Sequence, residues 1–289
     1  NDLSKAKGNV VLIGYVGNKQ ILPFLSKSII QSLSNKWESY ALTVLQKPST
    51  NIDQLLLIAG SDSRGTAYGV FDISARIGIS PWYWWADVRP IKKQFLSLEI
   101  KPFISNTPSI KYRGIFINDE DWGLQPWAAK TFEPETGDIG PKTYAAVFEL
   151  LLRLKANLIW PAMHPSTKAF FTIPGNAQVA KDYEIVVGSS HAEPMLRNNV
   201  GEWNEKTMGA FNYISNQEKV KNYWDSRIKE TSNMNTIYSM GMRGVHDSGI
   251  EGVKNSKDAV PILEQIFDDQ RKMLSQHIPK DITQIPQAF

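Results

Sequence analysis

Four stretches of this sequence follow one plan: a short apolar run that stops at acids, an imidazole or a guanidinium. Gly114-Ile-Phe-Ile117 runs into Asn118, Asp119, Glu120 and Asp121; Ala156-Asn-Leu-Ile-Trp160 runs into Pro161-Ala-Met-His164. Glu184-Ile-Val-Val-Gly188 ends in Ser189, Ser190, His191 and Glu193, and Thr236-Ile-Tyr-Ser-Met240 ends in Arg243, His246 and Asp247. Three of the four histidines fall at these ends. Such a set suits two chemistries. In glycoside hydrolysis one carboxyl protonates the leaving oxygen and another activates water. In metal-assisted hydrolysis His164, His191 and His246 would ligate a cation together with an Asp. Against the metal reading, each end offers one imidazole and no His-x-His pair occurs. Arg243 favours a substrate bearing a negative group, because guanidinium meets a carboxylate in a two-point contact.

Positioning these groups at one place requires parallel strands whose C-terminal ends share a rim. From Tyr112 the pattern is strand then helix, repeated: helices are expected at Thr143–Lys155, between Trp203 and Ile228, and from Ser256 to about His277. Four such units with right-handed crossovers are half of an eight-fold barrel, a fold whose chemistry sits at the strand C-termini. Tyr112–Ile117 reads as a strand apolar on both faces, as in a sheet covered on both sides. The first hundred residues read differently: strands at Asn9–Tyr15, Ala41–Leu45, Gln54–Ala59 and Phe95–Phe103, with helices at Ile21–Leu33 and Ala67–Arg76. The fold class expected is α/β. A small N-terminal α+β domain (residues 1–105) precedes the first half of a (β/α)8 TIM-like barrel (residues 106–289). Half a barrel leaves an apolar face uncovered, so the chain is expected to be a fragment or to complete its sheet with a partner; a homodimer through the open edge is one such pairing.

Bulk properties exclude several classes. The 289 residues carry a net charge of +3 from nearly balanced acids and bases, with no basic block interleaved with aromatics, so no nucleic-acid partner is expected. No apolar run reaches the roughly 18 residues of a membrane span. With no cysteine there is no disulfide, thiolate nucleophile or Cys-based zinc site. Gly60–Thr66 resembles a phosphate loop but lacks the Lys that must precede Thr66, and Gly14 and Gly17 do not make a dinucleotide fingerprint. Arg64 is left to reach toward a neighbouring domain. Starting at Asn1 without an initiator Met, the chain reads as a trimmed mature protein, expected in the periplasm or outside the cell. Nine Trp is a high count. Trp82, Trp84 and Trp85 form either an apolar plug, the favoured reading, or a platform for sugar faces, which would make the chain a non-catalytic carbohydrate-binding module.

Tyr112–Trp122, Ala156–His164, Gly188–Met195 and Gly241–Asp247 together resemble glycoside hydrolase family 115, and Gly60–Ser74 and Ser80–Asp87 resemble that family's N-terminal domain. The resemblance covers nearly the whole chain. It implies an inverting enzyme that removes glucuronic acid or its 4-O-methyl ether from α-1,2 linkages to xylan, with no cofactor and no essential metal. Its substrate would be a polysaccharide or oligosaccharide with uronic acid branches. Carried over, Asp121 and Asp247 would orient water, with Glu120 an unranked neighbour of Asp121. Arg243 would bind the uronate carboxylate, His191 and Glu193 would bond sugar hydroxyls, and Trp160, His164 and His246 would line the pocket. The family's catalytic-acid glutamate is expected just beyond Phe289, which would leave this chain by itself inactive.

Overall fold

The computed structural model describes residues 5–289. By its contacts the chain divides into one unit of residues 1–113 with 149–157, and a second of residues 114–148 with 158–289.

In the first unit β1 (Gly8–Tyr15), α1 (Lys27–Leu33), β2 (Tyr40–Ser49), β3 (Ile52–Gly60), α2 (Ser63–Arg76) and β4 (Phe103–Ile104) form a sheet of order β1-β3-β2-β4 with its helices. β1 and β3 are parallel; β2 runs antiparallel to β3 and β4. Leu12, Leu33, Leu55, Leu57 and Ala59 are among the residues that fill the core. The helix expected over Ile21–Leu33 is broken: Leu22–Phe24 is a 3-10 turn containing Pro23, and α1 begins afresh after Ser26, whose hydroxyl caps Ile29 N–H. The strand expected over Phe95–Phe103 is reduced to Phe103–Ile104. Alternation is not enough without a partner: Phe95 and Leu96 pair with nothing in the ladder and are 88% and 57% exposed. Asp62 caps α2 by accepting from Gly65 N–H, so the phosphate-loop look-alike is a helix start. Arg64 donates to Glu38 within the same unit at 2.6 Å.

Glu38 is the polar centre of this unit. It is 2% exposed, and its carboxylate accepts from Arg64, from Arg113 Nη2 at 2.5 Å and from Asn157 Nδ2 at 2.6 Å. Arg113 spends its other donors on the carbonyls of Ile110, Lys111 and Lys155. Every member of this buried cluster is paired, the condition under which a buried charge is tolerated.

The second unit contains β5 (Gly114–Phe116), α3 (Leu124–Trp127), α4 (Pro141–Arg153, which ends in the first unit), β6 (Leu158–Trp160), α5 (Asn176–Asp182), β7 (Val186–Val187), α6 (Asn199–Glu202), α7 (Glu205–Met208), α8 (Gln217–Thr231), β8 (Tyr238–Ser239), α9 (Ser256–His277) and β9 (Gln287–Ala288). β5, β6 and β7 make one parallel sheet, and β8 and β9 pair in parallel. A parallel bridge between Val187 and Thr236, with Ile237 N–H donating to Val187 O, continues the succession from β7 to β8. The paired strands hold two or three residues each, fewer than the runs in the sequence. The helical stretch expected from Trp203 is two helices, α7 and α8, because Gly209 ends α7 at φ +77°.

β5 is not covered on both sides. It occupies the end of its sheet, and Ile115 is 46% exposed, whereas Ile159, Val186 and Val187 in β6 and β7 are buried. Apolar content alone did not distinguish an edge strand from a central one. The larger core of this unit gathers Trp203, Phe211, Trp224, Ile228, Tyr238 and Leu274 behind β8. The long loop before α4 is ordered by Glu133, 1% exposed, whose carboxylate accepts from the amides of Gly140, Lys142 and Thr143 at the helix N-terminus, where a negative charge is stabilised. No helix is long and apolar enough to cross a membrane among the described residues.

Candidate active site

Because the strands are parallel, the loops that follow β5, β6, β7 and β8 leave the same edge of the succession. These loops carry every residue of the expected glycosidase site except Trp160, which ends β6. They assemble into two clusters and one buried acid.

The first cluster joins the β5 and β6 loops. After β5 the backbone turns at Asp119, which adopts the left-handed conformation (φ 56°), and a 3-10 turn presents Glu120–Trp122. Glu120 is buried at 2% exposure, while Asp119 and Asp121 face outward. Glu120 Oε1 accepts the backbone N–H of His164 at 2.7 Å, tying one loop to the other. His164 Nδ1 stands 3.1 Å from Glu120 Oε2 and 3.4 Å from Asp121 Oδ1, and its Nε2 is 4.0 Å from Asp119 Oδ1. Asp119, Asp121 and His164 form a group with metal-ligand chemistry among the described residues. The trio of His164, His191 and His246 weighed from the sequence is not such a group: His191 and His246 belong to the second cluster.

The second cluster centres on Asp247. His191 Nε2 lies 2.8 Å from Asp247 Oδ1, Arg243 Nη1 donates to the same oxygen at 2.9 Å, and His246 Nδ1 is 3.5 Å from Oδ2. The His191 hydrogen bond first, then the neighbouring positive groups, hold the Asp247 carboxyl below the usual carboxylate range. All four side chains are at least 41% exposed, so a ligand can reach them. Arg243 also donates from Nη2 to the Asp247 carbonyl oxygen. The guanidinium face expected to meet a substrate carboxylate is thus partly engaged within its own loop.

Glu193 stands apart from both clusters. It is 8% exposed, and its Oε2 accepts from Ser190 N–H at 3.3 Å and Ser190 Oγ at 3.1 Å. Burial pushes its carboxyl up to about 8, outweighing the Ser190 hydrogen bonds, and the charges of Glu202 and Glu120 push the same way. At neutral pH it carries a proton and can donate a hydrogen bond. Its loop is strained: Met195 and Leu196 are both in the left-handed region, held there by burial. Glu193 also lines a small cavity of about 20 Å³, enough for roughly one water, with Pro161, Ala162, Ser189, Asn198 and Glu202 among the other walls.

Trp160 packs at the end of β6. Its ring meets Phe116 edge-on at 5.6 Å, and its indole nitrogen sits so close to Gly188 that a Cβ there would lie 2.5 Å from it. Trp82 and Trp84 are 45% and 38% exposed, and Trp84 packs edge-on against Trp85 at 4.8 Å. Pattern reading placed Ser190 at a strand end without a role, since no charge marks it, and passed over Glu202, which accepts from Arg197 at 2.7 Å and from Arg227 while walling the cavity. The pairing of Arg227 in α8 with Glu202 in α6, joined by Arg197 from the preceding loop, is visible only once the chain is folded.

A family model described as glycosyl hydrolase family 115 matches residues 105–289. Among solved structures, one titled "A novel family GH115 4-O-Methyl-alpha-glucuronidase, BtGH115A, with specificity for decorated arabinogalactans" is 44% identical, with a TM-score of 0.84, over 96% of this chain and 36% of that one. The present chain therefore spans little more than a third of that protein's length. Comparison with curated proteins finds no match. On the extent of the family-model match and that identity, this chain belongs to glycosyl hydrolase family 115.

Proposed function

We propose that this chain carries part of the active centre of an inverting α-glucuronidase, which releases glucuronic acid or its 4-O-methyl ether from the side branches of a polysaccharide. The observation that carries this reading is the Arg243–Asp247–His191 constellation beyond β8 and β7: a guanidinium, a carboxylate kept ionised and an imidazole on one exposed patch. A uronic acid offers the two chemistries such a patch recognises, a carboxylate and a ring of hydroxyls. Arg243 has donors beyond the two it gives to Asp247, and these bind the uronate carboxylate. His191 bonds sugar hydroxyls, and buried Glu193, bonded to Ser190, holds the loop that carries it. Asp247 orients a water whose oxygen bonds to the anomeric carbon on the face opposite the leaving oxygen, with Asp121, in the first cluster, the other candidate for that role. A carboxylate takes the water's proton, the glycosidic C–O bond breaks, and the leaving oxygen receives a proton from a general acid.

The parallel strands β5–β9 with their intervening helices support placing this site at the C-terminal end of a (β/α)8 barrel, of which this chain contributes part. The polysaccharide backbone has two candidates. Glucuronoxylan follows from the family resemblance, and decorated arabinogalactan is what the similar solved structure is titled as preferring. A polymer of either kind does not cross a membrane, which supports action in the periplasm or outside the cell.

The test is an assay of the protein carrying this chain on aldouronic acids and on glucuronylated arabinogalactan oligosaccharides, with the product anomer followed by NMR. Release of the β-anomer first is expected. Absence of release from both substrates, or first appearance of the α-anomer, overturns the reading.

A further inference from the structure

We propose that Glu193 is a positioning residue for Asp247, acting through the turn that presents His191. A β-turn spans Ser190–Glu193, with His191 and Ala192 at its centre, closed by Glu193 N–H donating to Ser190 O at 3.0 Å. The Glu193 side chain closes the same turn a second time, since its Oε2 accepts from both Ser190 N–H and Ser190 Oγ. Ser189 Oγ donates to Glu193 O at 2.7 Å, and Ser239 Oγ donates to Ser189 O at 2.6 Å. Ser239 belongs to β8, the strand from which the Asp247 loop leaves, so the turn is anchored to that strand. Asn199 Nδ2 donates to Ala192 O at 3.0 Å, which pins the second central residue. Ser190, Ala192 and Glu193 are buried, whereas the His191 side chain is 63% exposed and meets Asp247 Oδ1 at 2.8 Å. The loops after β7 and β8 are therefore tied twice, at the base by Ser239 and Ser189 and at the tip by His191 and Asp247, and Glu193 holds the span between.

A pair as exposed as His191 and Asp247 gains little from its own contact, because water screens it and ordering two side chains costs entropy. Its geometry has to be delivered by a backbone already in place, and the doubly closed, buried turn supplies one. The turn is also easily disturbed. Met195 and Leu196, just beyond it, are in the left-handed region, and that strain relaxes once the bonds holding the turn are lost. Glu193 does this work as a neutral group: burial lifts its carboxyl to about 8, and the charges of Glu202 and Glu120 push the same way. An uncharged side chain of the same shape can therefore replace it. The consequence reaches Asp247 because the His191 bond is the first cause of its lowered pKa, with His246 and Arg243 the other positive groups that face it. A displaced turn leaves Asp247 to protonate at a higher pH.

The effect on rate rests on the glycosidase reading, so the test has one arm with turnover and one without. In the protein carrying this chain, Glu193→Ala should lower kcat/KM on aldouronic acids by roughly tenfold or more and move its acid limb to higher pH. Glu193→Gln, which keeps an acceptor for Ser190, should restore both. On a His191→Ala background, Glu193→Ala should move the limb no further. A residue that only stabilised the fold would reduce the active fraction and leave the limb in place. Hydrogen exchange is the arm without turnover. Glu193→Ala should lower protection of the residue-193 amide and, across the His191–Asp247 contact, of the Gly244 amide that donates to Ser248 O, each by at least about tenfold. The Gly188 amide, which donates to Ile159 O in β6, should keep its protection. Should Glu193→Ala not fold, Ser190→Ala, which removes one of the two donors, should shift limb and protection the same way by less. The proposal is overturned if Gly244 protection is unchanged, if Glu193→Gln restores nothing, if an active Glu193→Ala keeps its acid limb, or if the two substitutions shift the limb additively. A parent protein that releases no uronic acid counts against the proposed function, and exchange at Gly244 then decides the positioning role.

Discussion

His191 Nε2 meets Asp247 Oδ1 at 2.8 Å, joining the loop after β7 to the loop after β8 across 56 positions of sequence. The contact does more than link two loops. It is the leading cause of the depressed Asp247 pKa, and it leaves that carboxylate ionised over a wider range of acidity than an isolated Asp. Asp247 is in turn the acceptor that holds Arg243 in place.

If Asp247 must be ionised for turnover, removing its partner should move the acid limb of the rate profile. A lowered pKa keeps the group charged as pH falls. His191→Ala removes the first cause of that lowering, so protonation begins at a higher pH and the acid limb of kcat/KM should shift upward. The pH profile of glucuronic acid release checks this, and an unmoved acid limb would separate Asp247 titration from the rate.

Asp247→Asn keeps the shape of the side chain and removes its charge. The residue is exposed, so folding should be unaffected. Turnover on aldouronic acids should fall by roughly 10²–10⁴-fold, the range for a group that handles a proton in the transition state. Near-normal release would remove Asp247 from the mechanism.

Glu193 makes a prediction about stability that needs no substrate. Its folded-state pKa of about 8 lies above the ordinary carboxyl value of 4.5, so the folded chain holds a proton that the unfolded chain gives up first. Its stabilising contribution is complete below about pH 4.5 and is lost as pH rises toward 8. Glu193→Gln cannot ionise. It should be near-neutral at pH 4 and should raise stability relative to the parent at pH 8–9, by at most about 5 kcal/mol. Urea unfolding at the two pH values measures the difference. Equal effects at both would mean that Glu193 titrates normally.

The Glu38–Arg113 pair should matter for folding of the first unit. Removing one partner of a buried, fully bonded ion pair strands the other, at a cost of about 3–5 kcal/mol. Arg113→Ala leaves Glu38 with Arg64 and Asn157 and should fall at the low end; Glu38→Ala strands two guanidinium groups and should fall at the high end. Chemical unfolding of both variants ranks them, and the reverse order would refute this account of the cluster.

Gly114→Ala tests how firmly β5 is seated. A Cβ at Gly114 would run into the carbonyl oxygen of Leu158, which is backbone and cannot swing aside. The substitution should part β5 from β6 and lower protection of the Ile117 amide, which donates to Trp160 O at 2.9 Å. Hydrogen exchange reads this directly, and unchanged protection would show that the edge strand accommodates the extra methyl.

Much of the site was legible without coordinates, for a physical reason. A short apolar run followed at once by acids and histidines has few uses other than a strand that delivers polar groups to a rim, and His164, His191, Arg243 and Asp247 could be named from that pattern. The pattern carried direction and order along the chain. It carried no information on which loops would touch, because contact depends on the spacing and twist of strands that are two or three residues long. Tertiary structure decided that His164 joins Glu120 and Asp121 while His191 joins Asp247, which divides one expected set of histidines in two. It also decided burial. Glu120 and Asp121 are neighbours of similar chemistry, but a 3-10 turn sends one inward and the other toward solvent. Desolvation made Glu193 a carrier of a proton at neutral pH, and Ile115 at a sheet edge remained exposed where its composition suggested a core. Residue type and spacing determined which groups reach the rim; packing determined which of them meet and in what charge state, because both depend on distance and on exclusion of water, which no linear pattern encodes.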